Sequence, residues 1–201
     1  LTNLILIPTE LERQIIEPMI SGAISNSSGI IELCGFGLVA AAARSAQLIA
    51  QHAPARVYLI GIAGSLSASC RIGSAYEFGQ VRCDGIGVGV GQNHRPASEL
   101  GWKHFGDIDD SLALESTSSL RLVSVCAASA AFADAHRRGN ADAEDMEGYA
   151  VALACKLVHT PVVILRGISN QAGDRDHSRW QIEHSLRAAA ELFLQTQRVS
   201  E

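Results

Sequence analysis

The sequence predicts an α/β protein in three layers, with helices on both sides of a central mixed, largely parallel sheet. Two observations predict it. Short aliphatic or β-branched runs alternate with longer Ala-rich segments of helical spacing, the pattern that wraps helices around a parallel sheet. Several of the short runs are apolar at every position, as strands buried on both faces are.

Five runs read as strands: Leu4–Ile7, Gly29–Leu33, Arg56–Ile60, Leu120–Val125 and Val162–Arg166. Leu38–His52, Glu147–Lys156 and Arg179–Gln197 carry helical spacing and strong helix formers. The stretch from Gly73 to Gly91 is rich in glycine with alternating Val and Ile, and reads as further strands and turns in less regular order. No repeat, linker or low-complexity segment interrupts the chain, so residues 1–201 are expected to form one domain. In such folds, sites collect where loops leave the C-terminal ends of strands. Cys34–Leu38, Gly61–Ser65 and Arg166–Asp176 satisfy that position and are expected to share a pocket.

Composition narrows the function. Hydrophobic residues make up 47% of the chain and charged residues 18%, which indicates a packed core rather than disorder. A net charge of -5 without a basic run gives no electrostatic reason for a nucleic-acid or membrane partner. The apolar stretches fall short of the roughly 20 residues that span a bilayer, and Leu4–Ile7 lacks the basic lead and cleavage site of a signal peptide. Cys34, Cys70, Cys83, Cys126 and Cys155 are scattered without a CxxC pair, so reduced thiols are expected. These features together suggest a cytoplasmic enzyme or binding protein.

Four segments are candidates to carry chemistry. Gly35-Phe36-Gly37-Leu38-Val39-Ala40 nearly matches a dinucleotide fingerprint, but Ala40 replaces its third glycine and no acidic residue follows at the required distance. A tight turn for close packing is the better reading, and no cofactor is expected. Gly61-Ile62-Ala63-Gly64-Ser65 permits close approach of a ligand to backbone, or serves strand geometry. In Glu144-Asp145-Met146-Glu147-Gly148, the first two carboxylates read as charges complementing a helix dipole. Glu147 leads straight into an apolar helix and would lie near the core. Arg166 ends a buried run, and a dense polar loop through Asp176 follows it. No HxxxH spacing and no nucleophile elbow occur, so neither a metal nor acyl transfer is expected.

Taken in order, these segments resemble the nucleoside phosphorylase and nucleosidase superfamily. An early strand leads to Glu12, a glycine-rich turn starts at Gly35, and GIAGSL starts at Gly61. Met146-Glu147 before a helix and Arg166 through Asn170 complete the match, which follows methylthioadenosine/S-adenosylhomocysteine nucleosidases over almost the whole chain. Within that superfamily RGISNQAGDRD, the following Trp180, and PTELE at Pro8–Glu12 look most like the futalosine hydrolases.

The resemblance implies hydrolysis of the N-glycosidic bond of a purine nucleoside by a homodimer. Glu12 would activate water with help from Arg166, and Glu147 would hold the ribose hydroxyls while Met146 packs on the sugar. Ala63 and Gly64 would pass close to ribose and base, and Ser169 and Asn170 would face the purine edge. Two positions depart from the adenine-cleaving relatives, which place an Asp where Asn170 stands and a Ser where Ile62 stands. Asn cannot protonate a leaving base, but it can accept from a protonated ring nitrogen and donate to a carbonyl, which fits a 6-oxopurine such as the hypoxanthine of futalosine. Futalosine also carries a benzoate tail, for which His94 and Arg95 are candidate partners, with Arg175 as a rival. A methylthioadenosine/S-adenosylhomocysteine-type nucleosidase or a purine nucleoside phosphorylase is the alternative, although for the latter no early arginine sits in a Gly-rich phosphate loop. A nucleoside-binding protein without catalysis is the other alternative, and it would have little need for both Glu12 and Glu147.

Overall fold

The structure, a computed structural model, describes residues 2–27 and 29–199. In chain order the elements begin with β1 (Asn3–Ile7), α1 (Glu10–Ser27), β2 (Ile30–Leu33), α2 (Gly37–His52) and β3 (Arg56–Ser65). A run of short strands follows: β4 (Ala75–Glu77), β5 (Gln80–Asp84), β6 (Gly87–Val88), β7 (Arg95–Pro96) and β8 (Ser111–Ala113). The chain then forms β9 (Arg121–Val125), α3 (Phe132–Ala135), β10 (Ala143–Asp145), α4 (Gly148–Leu157), β11 (Val162–Gln171) and α5 (Ile182–Val199).

The main sheet is mixed and mostly parallel. β1 pairs in parallel with β2 and β3, β3 with β11, and β9 with both β10 and β5. β4, β8 and the β3–β10 contact supply the antiparallel pairs. β11 runs along one edge of β3 from Val57 to Ser65, so β1 and β10 share the opposite edge. β3 is therefore the hub that brings β10 and β11 together.

Strand parity builds two cores. Leu4, Leu6, Val57 and Leu59 pack with Leu48 of α2 and Val151 and Cys155 of α4. Their neighbours Ile5, Ile7, Tyr58 and Ile60 face the other way, onto Ile16 and Ile20 of α1 and Leu186 and Phe193 of α5. Alternation of side chains across the pleat makes both faces apolar and requires a helix layer on each. The predicted three-layer architecture is the one observed.

Several boundaries differ from the sequence reading. Gly61–Ser65 and Arg166–Gln171 are strand rather than loop, so Arg166 lies within β11 instead of ending a strand. Close packing explains it: a Cβ on Gly167 would strike the carbonyl of Ser185, so the small residue lets α5 seat on β11. Glu144 and Asp145 are on β10 and not at a helix start, since α4 begins at Gly148. Arg179 stands in a short 3-10 turn ahead of α5. The helix α1, with Pro18 inside it, is additional to the three predicted helices. Its signal is nonetheless present in Ile16, Ile20 and Ile24, four apart, and in Thr9-x-x-Glu12, the spacing of a capping box. All five cysteines are free; four are buried and Cys126 is exposed. Among the described residues, no helix is long and apolar enough to cross a membrane.

Candidate active site

Three carboxylates and one guanidinium converge where β3, β10 and β11 meet. Arg166 is fully buried on β11. Its Nε and Nη2 donate to Asp145 Oδ2 at 3.0 and 2.5 Å, and Nη2 also reaches Glu147 Oε2 at 3.3 Å. Its Nη1 has no protein partner among the described residues. A Cβ on Gly61 would fall on that Nη1 and within 2.8 Å of Glu12 Oε1, so Gly61 is the gap across which the two groups face each other. Any larger residue there would push them apart.

Glu12 comes from the first turn of α1 and is 4% exposed. Oε2 accepts a hydrogen bond from Thr9 Oγ1 at 2.6 Å, and Oε1 accepts one from the Ile62 N–H at 3.1 Å. Glu147 stands just before α4, where its Oε1 accepts from the Gly37 N–H at 3.0 Å. The glycine-rich turn at Gly35 thus holds a carboxylate with its backbone. Gly37 takes a positive φ of 81°, a conformation that suits glycine.

The charges do not balance, and the ionisation of the acids reflects it. Burial pushes the Glu147 carboxyl up to about 7, with Arg166 pulling down and Asp145 pushing up. Burial also raises Glu12 above the usual carboxylate range, against the pull of Thr9 and Arg166. Burial works against the charge of Arg166, but the carboxylates around it outweigh that and hold its proton more firmly. A carboxylate with raised affinity for a proton, beside a fixed cation with a spare donor, has the chemistry of a general base.

Ser169 and Asn170 lie further along β11, past Gly167 and Ile168, at a bulge in the strand. Ser169 Oγ donates to Asn170 Oδ1 at 2.8 Å, and Asn170 Nδ2 donates to the Gln171 carbonyl at 2.9 Å. These bonds fix the amide and leave one N–H and one lone pair for another molecule. Ala63 and Gly64 of β3 pair with Ile168 and Asn170 of β11, so all four residues share one stretch of sheet. Met146 is half-buried between Asp145 and Glu147. The backbone of Ala131 and Phe132 approaches the same strand end, against Gly173.

His94 and Arg95 are not brought to this cluster within one chain. Arg95 is exposed on the β6–β7 ribbon. His94 lines a cavity of about 860 Å³ together with Arg82, Asp84, Ser129 and Arg138, and none of Glu12, Glu147, Arg166 or Asn170 borders it. Arg175 lies 5.0 Å over the Trp180 ring, on the loop after β11. The sequence reading missed Asp145, Thr9 and the Gly37 N–H. Of these, only Thr9 had a local signal, its spacing to Glu12.

Comparison with known proteins bears on the fold and on the relatives of the chain. Residues 118–198 match the Phosphorylase superfamily. That stretch holds Asp145, Glu147, Arg166 and Asn170. The chain is 28% identical over 205 residues to the futalosine hydrolase of Thermus thermophilus, covering 93% of this chain and 91% of that one. In fold it is similar to a 5'-methylthioadenosine/S-adenosylhomocysteine nucleosidase from Helicobacter pylori, solved with butyl-thio-DADMe-Immucillin-A. The TM-score is 0.79 at 16% identity, over 100% of this chain and 98% of that chain. The native futalosine hydrolase of Helicobacter pylori strain 26695 gives the same TM-score, identity and coverage. A nucleosidase of the same name from Colwellia psychrerythraea, solved with adenine, has a TM-score of 0.73 at 19% identity, over 96% of this chain and 93% of that one.

Proposed function

We propose that this protein hydrolyses the N-glycosidic bond of a purine nucleoside, and that futalosine is its substrate. The observation that carries the reading is Glu12 facing the unpartnered, fully buried Nη1 of Arg166 across Gly61. A water between them would give a proton to Glu12 while Nη1 donates to its oxygen. Loss of a purine from ribose passes through a cation-like sugar, which an ionised Glu147 on the ribose hydroxyls would steady. Asn170 would accept from the protonated ring nitrogen of a 6-oxopurine and donate to its carbonyl oxygen with the N–H that remains. The curated relative from Thermus thermophilus supports the same substrate. The tail of the substrate would meet Arg175, or His94 and Arg95 of a second copy in a homodimer. Val88 and Val90 on that ribbon, 51% and 83% exposed, suit such a contact.

The test supplies futalosine, aminodeoxyfutalosine, methylthioadenosine and inosine in parallel, with and without phosphate. Hypoxanthine release from futalosine without phosphate is the expected result. Release only with phosphate would make the protein a phosphorylase, and faster cleavage of methylthioadenosine would move the substrate to the 6-amino series. No base from any of the four would leave a binding protein.

A further inference from the structure

Asp145 belongs to the cluster by geometry, yet it faces neither the proposed water nor the ribose. It is 5% exposed and receives four hydrogen bonds from three elements. Oδ1 accepts from Ser124 Oγ on β9 at 2.5 Å. Oδ2 accepts from the Gly148 N–H at the start of α4 at 2.9 Å, and from Nε and Nη2 of Arg166. Ser124 Oγ is itself held by the Tyr149 N–H at 2.8 Å.

The grip through both Nε and Nη2 fixes the plane of the guanidinium. With those two nitrogens turned to Asp145, Nη1 is left on the side of Gly61 and Glu12. Glu147 competes for Nη2 and stands further off, at 3.3 Å. Were Asp145 neutral, Glu147 would be the nearest anion, and the guanidinium would turn toward it.

We propose that Asp145 is a positioning residue, which aims Arg166 Nη1 at the nucleophilic water and keeps the guanidinium from closing on Glu147. The proposal rests on the hydrolytic reading above. The groups that face Glu147 and Arg166 are Asp145 on β10, Glu12 on α1 and the Cys34 thiol after β2, the last pushed up to about 12 by burial.

The experiment compares Asp145→Asn and Asp145→Glu with the unaltered chain. Misplacing a group by about 1 Å can cost on the order of 100-fold, and Asp145→Asn should lower kcat by about that factor, with a smaller rise in KM as Arg166 draws on Glu147. Its acid limb should move to lower pH, because Arg166 then favours ionised Glu147 and the repulsion from Asp145 is gone. Asp145→Glu keeps the charge and should restore kcat to within about tenfold. Nitrogen NMR of arginine side chains gives a second readout, with Arg166→Lys to assign the signal. The Arg166 Nε–H should be slow to exchange in the unaltered chain and fast in Asp145→Asn. That measurement needs no substrate, so it stands even if no nucleoside is cleaved and the hydrolytic reading fails. A folded Asp145→Asn protein with unchanged kcat and pH profile, or with an unchanged Arg166 signal, overturns the proposal. If Asp145→Asn does not fold, Ser124→Ala loosens the same grip by one bond; a several-fold drop in kcat at constant KM is expected, and no change in kcat or signal overturns it.

Discussion

Arg138 and Arg166 each pair with a buried carboxylate of β10, and consecutive residues of that strand serve them. Glu144 points to one face of the sheet and Asp145 to the other, as strand parity requires. On its face, Arg138 engages all three nitrogens. Nε donates to Glu144 Oε2 at 3.2 Å and Ser129 Oγ at 3.3 Å, Nη1 pairs with Asp84, and Nη2 donates to the Ala127 carbonyl at 2.8 Å. Arg166, more deeply buried, leaves Nη1 without a protein partner among the described residues. A buried donor left unmade costs about 1–3 kcal/mol. A fold bears that cost readily where a reacting molecule completes the bond. Cavity size points the other way, since the 860 Å³ cavity opens on Arg138. Under the proposed function, satisfaction of donors rather than volume would separate the brace from the reaction centre.

The largest effect should come from the Arg166 side. Glu12→Gln keeps the shape and an acceptor for the Ile62 N–H but removes the proposed base. Turnover should fall by about 100- to 10,000-fold, the usual span for losing a general base, while ligand binding is retained. Single-turnover kinetics beside calorimetric binding would separate the two, and a near-normal rate would remove Glu12 from the chemistry.

A smaller effect concerns pH. Because the Glu147 carboxyl sits at about 7, kcat/KM should drop as pH falls through that value and the group takes a proton. Glu147→Gln should weaken both turnover and binding and abolish the Glu147 part of that limb. Stability should run in the opposite sense. The folded value of Glu147 lies above its unfolded value near 4.5, so the folded state holds the proton more tightly. The Glu147 contribution to stability is then fully present below the unfolded value and is lost as pH rises toward and through about 7. Thermal unfolding across pH 4 to about 8 should show a shallower decline in Glu147→Gln. An identical slope would mean that Glu147 does not titrate in this window.

How far the sequence reveals all this depends on the kind of signal. The strands at Leu4, Arg56 and Val162 announce themselves because both of their faces are apolar, and the helix layers follow. The ends of β3 and β11 do not, because Gly61, Gly64 and Gly167 read as loop while serving close approach within the sheet. Glu12 and Arg166 lie far apart in sequence, and no periodicity joins them; only resemblance to a family does. Asp145 is hidden for a different reason. Side by side with Glu144, it reads as half of a charge cluster, and only the register of β10 against β3 and β9 shows that the two carboxylates part company.

The smallest effect on turnover should come from Arg138. Arg138→Ala would strip Glu144, only 5% exposed, of its cation, while Asp84 keeps Arg82 at 3.5 Å. Removing one partner of a buried pair costs about 3–5 kcal/mol; the Arg138 side chain is 17% exposed, so about 3 kcal/mol is expected here. Urea unfolding should show that loss as a lower midpoint at an unchanged slope. The Ser129 N–H and Oγ still donate to Glu144 at 2.9 and 2.7 Å, which keeps the start of the 126–139 segment in place. Turnover per folded molecule should accordingly stay within about threefold. Replacing Glu144 together with Arg138 by apolar residues should recover part of the stability, since no buried charge is then left alone. A drop in kcat as deep as that of Glu12→Gln, at unchanged stability, would show that both arginines serve the reaction and that donor satisfaction does not distinguish them.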